Sequence, residues 1–171
     1  SCHDDGEGAC PIGPRDATDA VDVLPLAPAR VQHILTTGQS NSIGFASVPV
    51  LSRQQRFRNL MFDTGVMTAT ACDDEGCKGY QTPRSLVPLV EGDRYFDYPV
   101  ETISTGFADG VARRASSLRI LASVHGRSGN VYACLRRGGC AYLRQLGYTS
   151  AFEAAMRQVT AAKELTARSG E

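Results

Sequence analysis

The stretch VQHILTTGQSNSIG, residues 31–44, decides how the rest of the chain is read. Val31, His33, Ile34 and Leu35 form a short apolar run that stops abruptly at Thr36, Thr37 and Gly38, the pattern of a buried strand ending in a tight turn. A second run of the same kind, LRILASV at residues 118–124, ends in the polar, glycine-containing loop HGRSGN, residues 125–130. Between the two, Phe107, Ala108, Val111, Ala112 and Ala115 recur at spacings of one, three and four, which predicts a helix of about three turns from Gly106 with these residues on its inner face. Beyond the second strand, Ser150 and Glu153 make a capping box ahead of Phe152, Ala155, Met156, Val159 and Ala162. A helix from Ala151 to Ala167 follows, with Gly170 as its stop. The order strand, helix, strand, helix implies an α/β fold: an open parallel sheet with flanking helices, in which Val31–Thr37 and Leu118–Val124 are parallel neighbours. In such sheets the ligand crevice lies outside the carboxyl ends of the strands, so residues 38–41 and 125–130 are expected to meet on one rim.

Outward from this core the chain is less regular. Residues 1–29 hold Gly, Pro, Asp and Ala without sustained period and read as an irregular tail or linker, leaving residues 30–171 as the folded domain. Leu60–Phe62 is expected to be a further short strand, and residues 63–98 a long loop-rich insertion. At 171 residues the chain is long enough for one domain with a core. Eighteen Lys and Arg balance eighteen Asp and Glu, which leaves no basic field for nucleic acid or an anionic membrane. No uncharged apolar stretch approaches the ~20 residues that span a bilayer.

Six cysteines fall in three local pairs, Cys2/Cys10, Cys72/Cys77 and Cys134/Cys140. Intervals of seven, four and five residues do not supply the two short Cys-x2-4-Cys knuckles of a structural zinc site, and two pairs bracket polar runs where a cytosolic chain rarely keeps thiols. Disulfides and an exported protein, secreted or in the cell envelope, are the expectation. Asp73, Asp74 and Glu75 are adjacent rather than alternate, so they read as a solvated loop and not a calcium site. Arg136 and Arg137 read as surface.

Gly38-Gln39-Ser40-Asn41-Ser42 directly follows the first strand. A serine at such a turn lifts its hydroxyl clear of the sheet and sets its backbone N–H where an oxyanion can be held. The same residue types also make an ordinary polar turn in which Ser and Asn cap a helix. His125 ends the second strand on the same rim, where it either serves as a base or closes the strand by bonding to backbone. His33, alternating within the first strand, is expected to pack under a helix.

VQHILTTGQSNSIG resembles the first block of the SGNH/GDSL hydrolase superfamily, in the branch of sialate O-acetylesterase-like carbohydrate esterases. ETISTGFADGVARR, residues 101–114, resembles that branch's ETP-x-x-Gly-x-Ala segment opening a helix. LASVHGRSGNVYACLRRGGCAY, residues 121–142, resembles its second block, and the likeness runs from about Val31 to the C-terminus. The resemblance implies a flavodoxin-like, three-layer fold and hydrolysis of an acylated carbohydrate without metal or organic cofactor. By position it assigns Ser40 as nucleophile, the N–H groups of Ser40 and Gly129 as oxyanion donors, and Gln39, Asn41 and Asn130 as substrate contacts.

The likeness is incomplete. Ser128 and Asn130 stand where the branch usually has Gly and Thr. The family's third block and its Asp-x-x-His block are missing, because position 30 before His33 is Arg, position 122 before His125 is Ala, and His3 is too near the start. On this reading the chain is the front part of a larger catalytic domain, truncated at its C-terminus, with little activity alone and association through an exposed sheet edge. The rival expectation is a non-catalytic carbohydrate-binding or structural module of the same shape.

Overall fold

The computed structural model describes residues 30–67, 72–73, 76–77, 81–92, 98–126, 129, 131–140 and 151–170, so the segment read as a tail, 1–29, lies outside the described residues. In chain order the elements are β1 (Arg30–Thr36), a 3-10 turn (Ser40–Ile43), β2 (Leu60–Phe62), β3 (Cys72–Asp73), β4 (Gly76–Cys77), β5 (Leu86–Pro88), α1 (Ser104–Ala112), β6 (Leu118–Val124), α2 (Tyr132–Leu135) and α3 (Ala151–Ser169).

β1 and β6 pair in parallel along their whole length, from Arg30 opposite Leu118 to Thr36 opposite Val124, as expected. β2 lies parallel on the other side of β6, and the sheet order is β1-β6-β2-β5. The insertion between residues 63 and 98 is not all loop: β5 pairs antiparallel with β2, Phe62 opposite Leu86, and β3 and β4 form a separate two-stranded ribbon. Leu86–Pro88, three residues that end in a proline, gives no strand signal in the sequence. The sheet is thus open and mostly parallel, with one antiparallel edge.

β6 is buried on both faces, which is why it reads as a continuous apolar run. Ile120, Ala122 and Val124 pack with Ile34 of β1 and Ala108 of α1 on one side. Leu121 packs with Leu60, Phe62, Ala162 and Leu165 on the other, against α3. Each such fully buried aliphatic side chain contributes about 1.5–3 kcal/mol.

The expected apolar faces turn inward only in part: Ala108, Ala112, Ala155 and Ala162 are buried and Val111 packs on the core, but Phe107, Met156 and Val159 are exposed and polar residues take their place. α1 starts earlier than expected and buries Ser104, Thr105, Ala108, Asp109 and Ala112, while Phe107 is 48% exposed. Its inner polar groups are paired. Asn59 Nδ2 donates to Asp109 Oδ1 at 3.1 Å, and the hydroxyl of Thr105 donates to Glu91 Oε1 at 3.1 Å. α3 buries Ala154, Ala155, Gln158, Ala162 and Leu165, with Met156 45% and Val159 40% exposed. Gln158 Nε2 donates to the carbonyl of Val124 at 3.2 Å, so the helix meets the end of β6 through an amide. A satisfied polar group buries at small cost and draws its face inward, and apolar periodicity cannot register it. Gly170 ends α3 in a left-handed conformation, φ 71°, as expected; Ser150 lies outside the described residues.

Cys134 and Cys140 form a disulfide with Cα atoms 4.7 Å apart. Cys72 and Cys77 stand opposite one another in backbone register, their side chains outside the described residues, as are Cys2 and Cys10. No helix among the described residues is long and apolar enough to cross a membrane.

Candidate active site

The rim begins where β1 and β6 end side by side. The His125 N–H donates to the Thr36 carbonyl at 2.9 Å, joining the first residue after β6 to the last of β1, so two loops leave the sheet at one level. The loop from β1 turns at once into the 3-10 turn that Ser40 opens. Gln39's carbonyl accepts from the Ser42 N–H at 3.0 Å and from the Ser42 hydroxyl at 2.7 Å, and the Ser40 carbonyl accepts from the Phe45 N–H at 2.9 Å. Gly44 closes the turn at φ 74°, a conformation that a side chain would strain. These bonds fix the backbone on both sides of Ser40, which is half-buried, while Gln39 and Asn41 are exposed.

The loop from β6 is pressed against this turn at Gly126. A Cβ there would overlap Ile43 Cγ2 and Ser42 Oγ and lie 3.0 Å from the Gly38 carbonyl oxygen. The 101–114 segment reaches the same turn from another side. Gly44 lies so close to the Glu101 backbone that a Cβ would come within 2.9 Å of the Glu101 carbonyl carbon. The Glu101 carboxylate accepts from the Leu51 N–H, from the Ser52 N–H at 3.2 Å and from the Ser52 hydroxyl at 2.7 Å. Partial burial works to raise its pKa, but those donors together hold it below the usual carboxylate value. The three segments picked out in the sequence therefore meet around residues 38–44.

Gly129 is exposed at φ 70°, and a Cβ there would meet nothing within 4 Å. Asn130, like Ser128, lies outside the described residues. The glycine that does touch the turn is Gly126, whose only sequence signal is its place directly after a strand-ending histidine. His125 itself is buried at the strand end.

His33 belongs to the interior. Its Nε2 is 2.8 Å from Ser123 Oγ, its ring meets Phe62 edge-on at 6.0 Å, and burial lowers its pKa to about 4, which keeps it neutral near pH 7. Glu91, which sequence reasoning missed, is buried beneath α1 and accepts from the N–H groups and hydroxyls of Thr102 and Thr105 at 2.9–3.2 Å. Burial raises its pKa against those four bonds. It ties the start of α1 to the segment behind the rim. No acidic signature around position 91 distinguishes it from a surface glutamate. Asp74 and Glu75 lie outside the described residues, and Arg136 and Arg137 are exposed.

No protein-family model, no curated protein and no solved structure matches this chain.

Proposed function

We propose that this chain carries the nucleophile of a serine ester hydrolase of the SGNH/GDSL kind, acting on acylated carbohydrate, with Ser40 as the attacking group. One observation supports it above the rest: the Gly38–Ser42 turn is held against Gly126 at the ends of two adjacent parallel strands, where open α/β sheets place their ligands. In the reaction Ser40 Oγ bonds to the acyl carbon as its proton passes to a base, and the oxyanion is held by backbone N–H groups of Ser40 and Gly129. The sugar oxygen then leaves with that proton, and water cleaves the acyl-serine to release the carboxylic acid.

The proposal names no base. Of the three histidines in the sequence, His3 lies outside the described residues, and of the two described His33 is committed to Ser123 while His125 stands at the rim. The Cys134–Cys140 disulfide favours an oxidising, extracytoplasmic setting, where such esterases meet polysaccharide. Peptide mapping after incubation with 4-nitrophenyl acetate tests the assignment. Ser40 should be acetylated faster than the exposed Ser116, and the difference should vanish when the protein is unfolded. Equal labelling of the two serines in the folded protein would leave the non-catalytic module as the better reading.

A further inference from the structure

A cavity lies on the α3 face of the sheet, where the last turns of that helix pass over β2 and β5. It encloses about 350 Å3 and combines three apolar side chains, Leu60, Leu86 and Leu165, with three arginines, Arg84, Arg119 and Arg168. Among the described residues, no Asp or Glu lines it. An adjoining hollow of about 500 Å3 between α3 and Thr82–Pro83 shares Leu165 and Arg168 and runs on to the half-exposed Met156. The arrangement departs from the balanced charge of the chain as a whole.

The arginines are held at this place by different means. Arg119 Nε donates to the Arg58 carbonyl at 3.0 Å. Burial, and then the charge of Arg58, lowers the pKa of Arg119. Arg84 is fixed through its backbone N–H, which donates to Asp63 Oδ1 at 3.0 Å, and its side chain is exposed. Arg168 is 3.7 Å from Glu164 one helical turn earlier, with the two side chains 68% and 61% exposed. An exposed pair of that kind is worth little, so a ligand anion can compete for the guanidinium. Guanidinium groups match oxyanions with paired donors, and the leucines give an adjoining apolar arm a surface to leave water for.

We propose that this cavity binds a small organic anion, its oxyanion head between Arg84, Arg119 and Arg168 and a short apolar arm on Leu60, Leu86 and Leu165. The site is independent of Ser40 and of the reaction proposed there. Its volume suits a ligand at the small end of the usual range.

Titration of the folded chain with hexanoate, followed by methyl NMR of the leucines, tests it. Saturable shifts at Leu60, Leu86 and Leu165 are expected, with acetate, inorganic phosphate and uncharged hexanol each binding about tenfold or more weakly. The double variant Arg84→Gln, Arg168→Gln changes exposed side chains, so it should keep the wild-type spectrum yet lose about tenfold in affinity. Glu164→Gln should tighten binding severalfold by removing the competitor for Arg168. Absence of saturable shifts at these leucines, binding of phosphate or hexanol as tight as that of hexanoate, or an unchanged affinity in the double variant would each overturn the proposal.

Discussion

At position 126 the absence of a single methyl group lets two loops touch. A Cβ would overlap Ser42 and Ile43, so Gly126→Ala should cost about 1–3 kcal/mol in urea unfolding. Gly110→Ala, at a helical position where a Cβ meets nothing within 4 Å, should instead gain about 0.5–1 kcal/mol. Equal effects would mean that the loops are not in contact. His33 gives a pH signature. With a folded pKa of about 4 against 6.5, the unfolded chain takes up a proton between those values while the folded chain does not. Stability is therefore full above pH 6.5 and falls as the pH drops toward 4, by roughly 3 kcal/mol at the limit. Glu91, raised by burial, works in the opposite sense, its contribution being lost as pH rises through its folded pKa. The measurement is thus a difference: His33→Gln should lose less stability than wild type between pH 7 and 5, and parallel curves would refute the assignment.

At the scale of elements, α3 is the test of which face a helix buries. Leu165→Ala should cost about 2–5 kcal/mol because the residue is buried against β2 and β6, whereas Met156→Ala, on the outer side, should stay within about 0.5 kcal/mol. Urea midpoints of the two variants decide it, and reversed magnitudes would restore the face that apolar spacing indicates. The Cys134–Cys140 link closes a short loop beside α2, and from loop length Cys140→Ser should cost about 2 kcal/mol. Denaturation with and without reductant checks this, since reduction should bring wild type down to the variant.

For the molecule as a whole, the decisive quantity is the rate of Ser40-dependent ester hydrolysis. Loss of one member of a serine triad typically removes a factor of about 10⁴ to 10⁶, so this rate tells whether a base accompanies Ser40: without one, turnover of 4-nitrophenyl acetate stays only marginally above that of the Ser40→Ala variant. Turnover near the ~10 per second of an ordinary enzyme, abolished by Ser40→Ala, would place the base within these residues and assign it to His125.

The sequence by itself determined the class of the fold and the position of the candidate nucleophile. β1 and β6 are buried strands whose apolar runs end at glycine-containing turns, and an abrupt stop of that kind is local information. The parallel pairing followed from the intervening helix, because a short hairpin cannot return a strand in the same direction. Only the tertiary structure decided that Thr105, Asp109 and Gln158 go inward beside the expected alanines while Phe107, Met156 and Val159 stay out, since their partners lie far away in sequence. The same holds for Glu91, for the antiparallel β5 and for the contact of Gly126 with the Ser40 turn: each depends on what a distant segment brings to within a few ångströms, and short-range periodicity carries no record of that.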